Sequence, residues 1–169
     1  MQSAPGGVIP AYVAFGANLG EPVETLRAAA VALARRPGVE LVAGSPVYRT
    51  RPIGPPGQPD YANAVARADT TLAAEALLDV LLAIEAEFGR VRDVRWGPRT
   101  LDLDLIWYGG EERATERLTL PHPRAHEREF VLRPLAELAP DLVLRGATVS
   151  EWLARLEPQG VEVTPEALM

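Results

Sequence analysis

The sequence predicts an α+β fold, a mostly antiparallel sheet flanked by helices, on three observations. Apolar spacing switches between strand-like and helix-like periods in the order β-α-β-β-α-β. Further helical segments follow that core instead of alternating through it. No linker, repeat or low-complexity tract divides the 169 residues. A single domain of this length buries about 70% of its unfolded surface, enough to fold without a disulfide or structural metal.

Each element has its own justification. Residues 12–15, Y-V-A-F, form an apolar run suited to a buried strand. Residues 21–36 follow as a helix, with Pro22 in the first turn, Glu21 and Glu24 at the positive end, and Arg35 and Arg36 at the negative end. Pro37-Gly38 stops it. Strands are expected at 39–48 and 61–68. Between them lies R-T-R-P-I-G-P-P-G-Q-P-D, whose four prolines and two glycines dictate a long, shaped loop. Leu77, Leu81, Ile84 and Phe88 mark a helix over 72–88, with Thr71 as cap and Gly89 as stop. Residues 99–108 alternate as a strand. Helices are expected at 128–139 and 149–156, the second opened by the capping box Thr148-x-x-Glu151. The order is that of the ferredoxin-like split βαβ core with helices added at its C-terminal end. Residues 1–10 read as an extension, 11–156 as the domain and 157–169 as a loosely held tail.

Composition removes whole classes of chemistry. Cysteine is absent, excluding disulfides, thiolate nucleophiles and iron–sulfur clusters. All 17 basic residues are arginine, excluding a Walker A lysine and any lysine Schiff base. A net charge of −6 argues against nonspecific binding of nucleic acid or anionic membrane by the whole surface. The start has no basic n-region and no apolar run long enough for a signal peptide, and no segment suits a membrane span, so a cytoplasmic protein is expected.

The strand R-T-L-D-L-D-L-I-W-Y points to chemistry. Asp102 and Asp104 fall on one face, while Leu101, Leu103 and Leu105 fall on the other. Two carboxylates on one face repel, so a cation is expected between them, and magnesium suits oxygen donors of this kind. A half-exposed acidic edge strand is the alternative. Arg90, Arg92, Arg95 and Arg99 precede the pair with only Asp93 among them, giving +3 over ten residues. Guanidinium forks beside two metal-binding carboxylates suit a polyphosphate, and phosphoryl transfer needs little more. Pairing of these arginines with Glu85, Glu87 and Asp93 in a solvated loop is the competing account.

The run R-W-G-P-R-T-L-D-L-D-L-I at 95–106 resembles the hallmark of the 6-hydroxymethyl-7,8-dihydropterin pyrophosphokinase family. A-F-G-A-N-L-G, Y-R-T-x-P-I-G-P, Q-P-D-Y-x-N-A and R-L-x-L-P-H-P follow in that family's order, extending the resemblance over residues 11–156. It implies a ferredoxin-like fold and a magnesium-dependent diphosphotransferase of folate synthesis. The enzyme would move pyrophosphate from ATP to the pterin's hydroxymethyl oxygen and release AMP. Asp102 and Asp104 would hold two magnesium ions; Arg90, Arg92, Arg99 and Arg128 match arginines near the phosphates, with Trp96 on the same loop. His122, Arg117 and Glu85 match positions near the nucleotide, although Arg117 and Glu85 read equally well as surface charges. Tyr61 and Phe130 match the ring pair enclosing the pterin, Asn63 the amide reading its edge, and Thr50 and Ile53 the pocket lining. The resemblance also implies a monomer or weak dimer acting on small molecules, with no nucleic-acid or membrane partner.

Three departures touch ATP: Pro123 stands where relatives carry an aromatic hydroxyl, Leu82 replaces a polar residue near the adenine, and the arginine loop is one residue short. Among rivals, G-A-N-L-G from Gly16 fails the dinucleotide pattern, having Asn18 and Glu21 where glycines are needed, and a tight strand-to-helix turn accounts for it. His122 and His126 make a poor zinc pair with Pro123 between them. A nucleotidyltransferase using the same aspartates, and a non-catalytic nucleotide-binding module, remain open.

Overall fold

A computed structural model describes residues 7–51, 57, 59–89 and 101–169. Strand β1 (Ile9–Ala17) is an inner strand of a six-stranded sheet. Strands β4 (Tyr61–Thr70) and β5 (Asp102–Tyr108) pair with its two sides, both antiparallel. On the far side of β4, β2 (Val39–Gly44) runs along its C-terminal half and β3 (Pro46–Thr50) along its N-terminal half.

The single strand expected at 39–48 is therefore two, broken at Ser45. This residue is buried; its N–H donates to the Val65 carbonyl at 2.9 Å and its Oγ accepts from the Val65 N–H at 3.0 Å. The hydroxyl thus replaces a ladder bond just before Pro46, which has no N–H to give. Residues 161–167, expected within a loose tail, form strand β10 (Val161–Ala167), paired antiparallel with β3. Leu168 behind it is buried in the core. An edge strand needs only backbone partners on one side, so Pro165 is tolerated there.

Helices cover both faces. Leu26, Ala29, Ala30 and Leu33 of α1 (Pro22–Ala34) and Leu77, Leu81 and Ile84 of α2 (Ala74–Glu87) pack on Ala62, Ala64, Ala66 and Ala68 of β4 and on Leu101, Leu103 and Leu105. Against the opposite face, Val131, Leu132 and Leu135 of α3 (Glu129–Leu138) and Val149 of α4 (Val149–Arg155) meet Tyr12, Ala14, Val65 and Ile106. The capping box of α4 is present: Glu151 N–H donates to Thr148 Oγ1 and Thr148 N–H to Glu151 Oε1. Thr71 does not cap α2, whose N-cap is Ala73 without a side-chain bond. Its neighbour Thr70 instead accepts from Leu72 N–H and donates to the Gly38 carbonyl. Arg35 and Arg36 fall just beyond α1.

Two minor hairpins, β6 (Arg113–Ala114) with β7 (Thr119–Leu120) and β8 (Val143–Leu144) with β9 (Ala147–Thr148), complete the chain. Among the described residues no helix is long and apolar enough to cross a membrane.

Candidate functional site

Antiparallel pairing brings the C-terminal end of β1 beside the N-terminal ends of β4 and β5. The register aligns Asn63, Gly16 and Asp102 in one row across three strands, and Val65, Ala14 and Asp104 in the next. Side chains of one such row share a face. Here that face is the one toward α3, because Leu101, Leu103 and Leu105 go to the other core. Gly16 and Ala14 leave room above the sheet, and a concavity of about 480 Å³ opens there, lined by both aspartates, Asn63, Phe130 and Arg128. The alternation read from the sequence thus places both carboxylates on a single open face.

Each wall has a local cause. Asn63 is buried, and its Oδ1 accepts from Thr50 Oγ1 at 2.8 Å, fixing which way the amide points. Its Nδ2 lies where a Cβ on Gly16 would approach to 3.0 Å, so glycine keeps the floor flat beneath the amide. Tyr61, at the start of β4, and Phe130, in the first turn of α3, line the same space. The Arg128 guanidinium lies 5.6 Å from the Phe130 ring centroid, a cation–π contact at the helix N-cap.

The remaining candidates divide. Glu85 is buried on α2, on the other face of the sheet, where Oε2 accepts the Leu103 N–H at 2.7 Å. It is not a surface acid; it grips the backbone between the two aspartates. Arg117 pairs with Asp79 and lies outside the concavity lining. His122 also lies outside that lining, yet Asp104 is among the charges that act on it. Burial lowers its pKa, Asp104 opposes that, and Arg128, Arg145 and Arg124 add to the lowering. Its Nδ1 accepts the Arg124 N–H at 3.1 Å, which puts the proton of the neutral ring on Nε2. Ile53, Arg90, Arg92, Trp96 and Arg99 lie outside the described residues.

Several site residues escaped the sequence reading. Gly16 belongs to β1 and forms the site floor instead of the strand-to-helix turn. Arg51 and Gln159 line the concavity, the second from the segment read as tail. Asn18 is buried just beyond β1 with neither amide atom bonded among the described residues. The glycine that follows the apolar run 12–15 was the one available signal, since a glycine within a strand marks close approach of other groups. His126 packs against the Trp152 ring at 4.6 Å. Among the described residues no three His, Asp or Glu side chains gather as a metal cage. The two carboxylates of the concavity, as oxygen donors, suit a hard ion that completes its shell with water and phosphate oxygens.

The family model described as 7,8-dihydro-6-hydroxymethylpterin-pyrophosphokinase matches residues 12–140. The 2-amino-4-hydroxy-6-hydroxymethyldihydropteridine pyrophosphokinase of Pseudomonas aeruginosa is 52% identical over 157 residues, covering 92% of this chain and 97% of that protein. Its namesake from Methylorubrum extorquens is 49% identical over 152 residues, covering 90% and 96%. Among solved structures, Plasmodium falciparum HPPK-DHPS wild type with pterin and p-hydroxybenzoate superposes with a TM-score of 0.69 at 12% identity. That match covers 88% of this chain and 43% of the other, so the chain spans less than half of that solved protein, and the likeness carries the fold alone.

Proposed function

The chain belongs to the 7,8-dihydro-6-hydroxymethylpterin-pyrophosphokinase family, and from that premise we propose how its residues share the work. The protein is an enzyme of folate biosynthesis that transfers pyrophosphate from ATP to 6-hydroxymethyl-7,8-dihydropterin. The hydroxymethyl oxygen bonds to the β-phosphorus of ATP, the bond from that phosphorus to the α,β-bridging oxygen breaks, and AMP leaves. The hydroxyl proton passes to solvent.

One observation carries the assignment of residues: the row that sets Asn63 and Asp102 on either side of Gly16. It puts an amide able to read a heterocycle edge and a carboxylate able to hold a cation one strand apart from a common glycine. Asp102 and Asp104 would hold magnesium, which when bound neutralises triphosphate charge and polarises the β-phosphorus. Tyr61 and Phe130 enclose the pterin ring, and Thr50 holds the Asn63 amide in its reading orientation. Arg128 approaches the phosphates from the α3 N-cap, and His122 offers its Nε2 proton to a phosphate oxygen. The family resemblance assigns Arg90, Arg92, Arg99, Trp96 and Arg117 to the nucleotide and Ile53 to the pterin. Glu85 serves through β5, holding the Leu103 N–H so that the two aspartates keep their spacing.

The core is assigned to the ferredoxin-like class, supported by the antiparallel succession β2 and β3, β4, β1, β5. A monomer or weak dimer in the cytoplasm, acting on its two small-molecule substrates, completes the reading.

Incubation with ATP, magnesium and the reduced pterin alcohol, followed by mass analysis of both products, tests it. AMP and the pterin diphosphate are expected. Pyrophosphate release would indicate nucleotidyl transfer, ADP an ordinary kinase, and ATP binding without turnover a non-catalytic module.

A further inference from the structure

Resting on that reading and deepening it, we infer that the Gln159–Gly160 turn is a clasp across the rim of the pterin pocket, with Gln159 a positioning residue for Phe130. Helix α3 has no local cap: Arg128 stands at its N-cap and makes no side-chain bond there. A helix start leaves N–H groups without partners, and something must take them. The Glu129 N–H donates to Gln159 Oε1 at 2.9 Å, thirty residues further along the chain. In return the Gln159 N–H donates to Glu129 Oε1 at 2.6 Å, and Gln159 Nε2 donates to the Glu127 carbonyl at 3.1 Å.

This is the reciprocal logic of a capping box, shared between two distant segments. Glu129 is only 7% exposed, and its second oxygen accepts from Arg133 Nη1 at 3.1 Å, so its carboxylate is engaged on both sides. Removing one partner from a buried, bonded group costs more than the bond itself contributes.

The next residue completes the clasp. The Gly160 carbonyl accepts the Arg51 N–H at 3.2 Å, and Val161 pairs with Thr50. Gly160 has φ +77°, a conformation that lets consecutive residues serve opposite walls. Gln159 therefore holds the start of α3, which carries Phe130, while Gly160 holds the end of β3, which carries Thr50. Both Thr50 and Phe130 line the concavity, and so does Gln159 itself. The clasp thereby sets how far the Phe130 ring stands from the Asn63 side. Arg128 is less sensitive, because its long flexible stem can still reach a phosphate after a small shift of the helix start.

The test uses the whole chain and three measurements: the dissociation constant of 6-hydroxymethylpterin, that of magnesium ATP, and amide exchange at Glu129. Gln159→Met keeps the side chain's length and removes its hydrogen bonds. Gly160→Ala, disfavoured at positive φ, is the second variant should the first fail to fold. For either, pterin binding is expected to weaken by about five- to tenfold, with ATP binding held within about twofold. Exchange at Glu129 should quicken in Gln159→Met. Pterin affinity within about twofold of the wild type, or equal loss for both ligands, would overturn the clasp. A wild-type chain that binds ATP and no pterin would instead overturn the functional reading, and the clasp's role with it.

Discussion

Toward α1 and α2, strand β4 presents Ala62, Ala64, Ala66 and Ala68; toward α3 the same strand presents Asn63, Val65 and Arg67. Strand β5 divides in the same way, with Leu101, Leu103 and Leu105 on one face and Asp102 and Asp104 on the other. On the first face α1 and α2 pack on β4 and β5, and the alanines of β4 let them settle closely. On the second, α3 and α4 cover only part of it, and the end left open is the site. The face that gives up packing is where ligands can replace it. A single sheet thus separates stability from chemistry, one side chain at a time.

Substitutions on neighbouring residues of β5 should break this division most sharply. Asp102→Ala or Asp104→Ala is expected to cost at least about 10³-fold in turnover, by removing metal-based charge neutralisation. Near wild-type turnover at saturating magnesium would end the two-carboxylate assignment. Leu103→Ala, between them, should cost about 2–5 kcal/mol of stability by denaturant unfolding, because it opens a cavity under α2. Its folded fraction should keep the wild-type pterin affinity.

Two smaller changes sharpen the comparison within the open face. Phe130→Ala should weaken pterin binding by about 1–3 kcal/mol while leaving ATP affinity unchanged, a split that titration of each ligand alone will reveal. Gly16→Ala would press a methyl against Asn63 Nδ2 and turn the amide, costing about 0.5–1.5 kcal/mol in pterin binding through an off-rotamer side chain. Unchanged pterin affinity there would separate Asn63 from the pterin.

A last effect concerns pH. Burial, and next its hydrogen bond to Glu137, push the Tyr48 hydroxyl up to about 12. A raised folded value stabilises the protein below the ordinary value of 10.0, and that stability is lost as pH climbs through about 12. Unfolding between those limits should therefore grow easier with pH, and Tyr48→Phe should flatten that slope. An identical slope in the variant would assign the titration elsewhere.

Much of this was legible because it depends on local spacing. The Leu–Asp alternation of β5, the helices with apolar stripes and the Thr148 capping box each arise from residues within a few positions of one another. The aspartates' companions were legible only through resemblance: nothing about Tyr61 or Phe130 alone distinguishes a site aromatic from a core one. Glu85 illustrates what local reading misses, for a glutamate on a helix gives no sign that a strand eighteen residues on will offer it an N–H. Strand β10 was missed for a related reason, since Pro165 interrupts it, most of its side chains are exposed and its pairing is made by backbone.

By itself, then, the sequence determined the alternation that puts carboxylates on one face of a strand and leucines on the other, because side-chain direction in a strand follows from position alone. Tertiary structure alone decided which residues stand beside those carboxylates. The Asn63–Gly16–Asp102 row and the Gln159–Glu129 bond join segments 39 or more and 30 positions apart respectively, and such registers are fixed by how the elements pack, which no local pattern encodes.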